Sequence, residues 1–165
     1  MRHGLSVLAI SCLLPSCAPR EAARDKAPSS LPATPVQTLD GGATDLAGVL
    51  RGRPALVSLW ATWCDTCIQE APALNRLEAE ARKAGDALVV GVAIGETPDA
   101  VRDFAKTRKL VYTQLVDPDF RLADTLGERQ VPATLVVDRT GHIVFRGKSL
   151  DEGSLSAFRR AAERR

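Results

Sequence analysis

The chain has 165 residues and a mass of 17.7 kDa, room for one ordinary domain. Hydrophobic residues make up 45% and charged residues 25%, a globular balance that excludes wholesale disorder; 22 basic against 20 acidic residues leave a net charge of +2, too small a surplus to point to nucleic acid. Cys12 and Cys17 lie in the first 17 residues, so the rest holds only Cys64, Cys67 and one histidine, His142, which excludes a multi-disulfide scaffold and leaves too few ligands for a structural zinc site.

Residues 1–17 read MRHGLSVLAISCLLPSC: a basic start at Arg2, then a ten-residue apolar run from Leu5 to Leu14. That run is too short to span a bilayer and suits the core of a signal peptide. Leu14-Pro15-Ser16-Cys17 resembles a bacterial lipobox, with Leu three residues before the cysteine and a small residue directly before it; Pro15 stands where a small residue is usual. The resemblance implies a signal peptide over 1–16 and lipid on Cys17, and two or three acyl chains anchor a protein stably where one does not. Cys12 is the weaker candidate, with Ala9 three residues before it. The other reading is an ordinary secretory signal with a coincidental cysteine; both take the protein out of the cytoplasm. Residues 17–35 then hold the anchor site and a flexible tether, rich in Ala, Pro and Ser and without apolar period.

The domain is expected over 36–165. Val36 to Leu39 reads as a short strand, Asp40-Gly41-Gly42 as a turn, and Leu46 to Leu50 as one helical turn closed by Gly52. Ala55 to Trp60 is a continuous apolar run, as in a strand buried on both faces. After Cys64 the period becomes helical: Cys67, Ala71, Leu74, Leu77 and Ala81 share a face, Gly85 is the stop, and Pro72 inside predicts a kink. Ala87 to Ile94 is a second buried strand. Thr97-Pro98 caps and opens a helix with Val101, Phe104 and Ala105 on its core face. Tyr112 to Val116 is a weaker strand and Phe120 to Leu126 a short helix. Ala133 to Val137 and His142 to Arg146 form a hairpin around Arg139-Thr140-Gly141, and Leu155 to Glu163 closes the chain as a helix. This alternation predicts an α/β domain, a central mixed sheet with helices on both faces. Tyr112, Phe120 and Phe145 read as core, His142 as structural or solvent-facing, and the arginines at 159, 160, 164 and 165 as solvated charge.

The chemistry concentrates in Trp60-Ala61-Thr62-Trp63-Cys64-Asp65-Thr66-Cys67, which joins the first buried strand to the long helix. A thiol at a helix N-terminus faces unpaired N–H groups and the positive end of the dipole, and both favour the nucleophilic thiolate. A second cysteine three residues on lies one turn away. That spacing allows a disulfide and lets Cys67 resolve a mixed disulfide formed at Cys64. The competing reading is a pair of buried structural cysteines.

Residues 36–163 resemble the thioredoxin-like fold and, within it, extracytoplasmic thiol–disulfide oxidoreductases of the TlpA/ResA type. The matching segments are WATWCDTC at 60–67, Glu70 and Pro72 in QEAP, GVAIGE at 91–96, and Val131-Pro132-Ala133-Thr134 before LVVDRTGHIV. The resemblance implies that Cys64 attacks and Cys67 resolves. It implies a cis Val131–Pro132 bond beside the dithiol, which with Trp63 borders the substrate groove. It also implies that Glu96 sits close to the dithiol and exchanges a proton with it; read from the residues alone, Glu96 is equally a helix-entry carboxylate before Thr97-Pro98. Thr66 stands where many relatives have Pro. Asp65 directly follows the nucleophile, and its charge opposes the thiolate, which predicts a reducing dithiol.

The expected function is membrane-tethered reduction of protein disulfides outside the cytoplasm, without a small cofactor or metal. The resemblance implies substrates such as apocytochrome c or metal-site assembly proteins, and a membrane-embedded thiol reductant as electron source. The alternatives are the oxidase or isomerase direction, and a Cu(I)-handling module built on two soft thiolates.

Overall fold

The computed structural model describes residues 27–164. The expected signal peptide at 1–16, Cys12, the Cys17 lipidation site, the first part of the tether and Arg165 lie outside the described residues. In chain order the elements are β1 (Val36–Thr38), β2 (Ala43–Thr44), α1 (Leu46–Leu50), β3 (Ala55–Trp60), α2 (Asp65–Ala84), β4 (Leu88–Ile94), α3 (Pro98–Arg108), β5 (Thr113–Asp117), α4 (Arg121–Leu126), β6 (Ala133–Val137), β7 (Ile143–Gly147) and α5 (Glu152–Glu163).

The strands form one mixed sheet in the order β2-β1-β5-β4-β3-β6-β7. β3 pairs in parallel with β4, and β4 with β5, while β6 runs antiparallel to β3. The two parallel steps move in the same direction across the sheet. Right-handed crossovers therefore put α2 and α3 on the same face, where α5 joins them. α1 and α4 cover the other face, with Leu46, Leu50, Leu122 and Leu126 packed on alternate residues of β3, β4 and β6. Central strands covered on both sides have no solvent face, which is why β3 and β4 read as near-continuous apolar runs, interrupted in β3 only by buried Ser58.

Local chemistry sets the helix ends. Thr97 Oγ1 accepts from Ala100 N–H at 3.3 Å, and Asp151 with Ser154 forms a reciprocal capping box on α5. α4 has no cap from its own first residue; buried Asp117 accepts from Ala123 N–H at 2.9 Å instead. Buried Glu78 of α2 accepts from Val89 N–H at 2.9 Å and from Arg82 at 2.6 Å, so a backbone donor at the start of β4 is satisfied by a helix side chain. Pro72 lies inside α2 and does not end it.

Backbone pairing begins before the expected domain start at Val36. Leu31 N–H donates to Gly141 O at 2.9 Å, Ile143 N–H donates to Ser29 O at 2.8 Å, and Ser30 bridges to His142. Residues 29–31, expected to belong to the flexible tether, therefore pair with the β6–β7 hairpin. β7 is an edge strand whose open backbone groups need partners, and Ser29 supplies one of them. Among the described residues no helix is long and apolar enough to cross a membrane.

Candidate active site

β3 is buried along its length and delivers the chain to the C-terminal edge of the parallel strands, where sites form in sheets of this kind. Cys64 N–H closes a turn on Ala61 O at 3.1 Å, and α2 starts. Cys64 is the N-cap of that helix: its Sγ accepts from Cys67 N–H at 3.2 Å, and its carbonyl accepts from Ile68 N–H at 3.0 Å. Cys64 and Cys67 are joined in a disulfide with their Cα atoms 5.3 Å apart. The Cys64 sulfur thus stands on the positive end of a 20-residue helix, which stabilises a thiolate there when the bond opens. Both cysteines are largely buried, whereas the neighbouring Trp63 is 71% exposed. Asp65 and Thr66 are exposed beside the pair.

The Val131–Pro132 bond is cis, and Val131 packs on the cluster that contains both cysteines and Trp60. An open groove of about 330 Å³ runs between Trp63 and Val131, lined also by Ile94, Phe120 and the 128–130 segment. Phe120, expected in the core, is 50% exposed. Its backbone is left-handed (φ 61°), which turns the ring outward, and the ring lies against Gly95. Only glycine fits there: φ is +67°, and a Cβ would come within 2.4 Å of the Phe120 ring. A lone aromatic in sequence reads as core by default, and a single left-handed residue overrides that reading.

Two carboxylates lie on the segments around the dithiol, Glu96 bonded to Thr62 and Glu70 on α2. Glu96 Oε1 accepts from Thr62 N–H at 2.9 Å and from Thr62 Oγ1–H at 2.6 Å, which ties the loop between β4 and α3 to the turn that carries Cys64. Glu70 lies three residues after Cys67, one helical turn along. Its Oε1 accepts from Leu150 N–H at 2.9 Å, while its Oε2 is buried without a hydrogen-bond partner. Burial raises the Glu70 carboxyl above the usual carboxylate range, against the lowering effect of the Leu150 bond. The sequence marks Glu70 only as part of a motif; its i+3 spacing from Cys67 was the available signal. Behind it, burial pushes the Tyr112 hydroxyl up to about 12, so that group stays neutral. His142 is exposed, hydrogen-bonded to Thr140. Among the described residues no group of three or more His, Cys, Asp or Glu side chains converges as a metal site.

Comparisons with known proteins agree with this geometry. The sequence profile of the AhpC/TSA family matches residues 24–146. The chain is similar to the thiol-disulfide oxidoreductase ResA of Bacillus cereus, 27% identical over 109 residues, covering 66% of this chain and 62% of that protein. It is also similar to the thiol:disulfide interchange protein DsbE of Pseudomonas fluorescens biotype C, 32% identical over 113 residues, covering 68% of this chain and 61% of that protein. The matches thus span somewhat under two thirds of these relatives' length. Among solved structures, MTB DsbF in its mixed oxidized and reduced forms superimposes with a TM-score of 0.65 at 30% identity, covering 82% of this chain and 97% of that one. The sheet order and helix placement are those of the thioredoxin-like fold.

Proposed function

The chain belongs to the AhpC/TSA family and has the thioredoxin-like fold, and from that premise we propose that it is a thiol–disulfide oxidoreductase of the ResA/DsbE type working through Cys64 and Cys67. The observation that carries this reading is the disulfide at the N-cap of α2 with the cis Val131–Pro132 bond beside it. The described state is the oxidised one. Once reduced, the Cys64 thiolate attacks one sulfur of a substrate disulfide. A Cys64–substrate bond forms, the substrate bond breaks, and the other substrate sulfur leaves as a thiolate that takes up a proton. The Cys67 thiolate then attacks Cys64 Sγ, the Cys64–Cys67 bond re-forms, and the second substrate sulfur leaves. Two electrons have passed from the dithiol to the substrate, without a small cofactor.

The supporting residues have separate tasks in this scheme. Glu70, half-buried one turn beyond Cys67 with an unpartnered oxygen, exchanges the Cys67 proton. Glu96 holds the Thr62–Cys64 turn in place and is the second carboxylate available to the dithiol. Trp63 and Val131 flank the bound polypeptide, and the charge of Asp65 opposes the Cys64 thiolate and so makes the pair a reductant. The lipobox-like Leu14–Cys17 supports an extracytoplasmic lipoprotein that faces disulfide-bearing substrates of cytochrome c or metal-site assembly and is re-reduced by a membrane thiol donor. The test is Cys67→Ala: it removes the resolving thiol and accumulates mixed disulfides through Cys64, identified by mass after non-reducing separation. A variant that captures no more protein than Cys64→Ala/Cys67→Ala overturns the reading.

A further inference from the structure

One wall of the groove is the segment from the end of α4 to the cis peptide, residues 127–131. It belongs to no helix or strand. Its start folds onto α4 through Glu128 N–H to Ala123 O at 2.9 Å and Gly127 N–H to Asp124 O at 3.0 Å. Arg129 lies 3.6 Å from Asp124, but both side chains are exposed, and such pairs contribute little. The connection to the sheet is Arg146. It sits on β7 opposite Leu135, and its side chain is 27% exposed. One arm of the guanidinium, Nη1, donates to Leu126 O at 3.1 Å and to Glu128 Oε1 at 2.9 Å; the other, Nη2, donates to Pro28 O at 2.5 Å. Three stretches of chain, 118 residues apart at the extreme, meet on one planar cation. The N-terminal segment also passes close to the loop: a Cβ built on Gly127 would lie 3.6 Å from Ala27 Cβ.

We infer that Arg146 is a positioning residue for substrate binding: it fixes the 126–131 wall of the groove against β7 and hooks residues 27–31 onto the same point. The reason is geometric. Arginine presents a rigid fork whose donors reach several acceptors at once, whereas a lysine ammonium is a point charge on a flexible stem. Glu128 is 23% exposed, so the ion pair is less screened than a surface pair. The carboxylate that would otherwise face the groove is neutralised, and Arg129, Gln130 and Val131 are presented in one arrangement. Arg146 also ties the N-terminal segment to the substrate wall.

This rests on the oxidoreductase reading, and the experiment separates the two. The pre-reduced full chain is mixed with insulin as a protein disulfide, or with oxidised glutathione as a small one, and its oxidation is followed by tryptophan fluorescence; the redox potential is titrated separately. Arg146→Met raises the insulin concentration for half-maximal rate about tenfold, equivalent to about 1.4 kcal/mol. The limiting rate stays within about twofold, and the glutathione reaction and the potential are unchanged. Arg146→Lys, which keeps the charge near Glu128, gives about a threefold rise. An unchanged insulin half-saturation in either folded variant, or an equal loss with glutathione, overturns the assignment; if Arg146→Met does not fold, Arg146→Lys alone decides. A wild-type chain inert toward both disulfides overturns the oxidoreductase reading, and this one with it.

Discussion

Replacing Glu96 by Ala removes one carboxylate oxygen that holds two donors of Thr62, at 2.9 and 2.6 Å. A hydrogen bond to a charged group contributes about 1.5–3 kcal/mol where water is kept away. Glu96 is only partly buried, so water recovers much of that, and the two bonds together contribute about 2 kcal/mol. The loss falls on the turn between β3 and α2, the segment that sets the position of Cys64. For a chain of this size 1 kcal/mol moves Tm by about 2–4 °C, so Glu96→Ala is expected to lower Tm by about 4–8 °C. Glu96→Gln keeps an acceptor in place without the charge, and its expected loss is about half as large. The assay is urea unfolding and calorimetry of the oxidised full chain, with the pH profile of Cys64 alkylation measured on the reduced chain. If the carboxylate acts by holding Thr62, Glu96→Gln keeps the wild-type alkylation profile. A Glu96→Ala variant within about 0.5 kcal/mol of wild type, or a Gln variant as damaged as the Ala one, refutes the anchoring argument.

Three further outcomes follow from particular residues. Burial raises the Glu70 carboxyl, so the stability tied to this group is fully present below its unfolded value and is lost as pH rises through the folded one. Glu70→Gln therefore gains on wild type more at pH 8 than at about pH 4, the unfolded carboxyl range; equal Tm differences at the two pH values contradict this. Asp65→Asn removes an exposed negative charge next to the nucleophile, favours the reduced thiolate form, and moves the dithiol potential in the oxidising direction by about 10–20 mV in a glutathione redox titration, a small shift because water screens the site. Gly91→Ala places a Cβ 2.7 Å from Gln114 Oε1, 2.9 Å from Trp60 Nε1 and 2.9 Å from the Tyr112 ring, all buried; denaturant unfolding is expected to show a loss of about 2–3 kcal/mol, since two of the three neighbours are rigid rings.

The elements with strong local signals were legible in the amino acids alone. β3 and β6 begin and end where their apolar runs do, Gly85 and Thr97-Pro98 mark real helix ends, and the Cys64/Cys67 spacing on the strand-to-helix junction located the site. These signals act between near neighbours, through backbone geometry and one-turn periodicity. β2 escaped notice because two residues carry no period, and Phe120 was misplaced because a left-handed turn, not hydrophobicity, aims its ring. Beyond that, tertiary structure decided which distant groups meet. Thr62 and Glu96 are 34 residues apart, Glu70 and Leu150 are 80 apart, and Arg146 and Pro28 are 118 apart. Each of these contacts gives a partner to a backbone or hydroxyl donor, or to a carbonyl, that lies outside the strand and helix ladders. Chain order names the candidates, but only the packed layers determine which of them arrive.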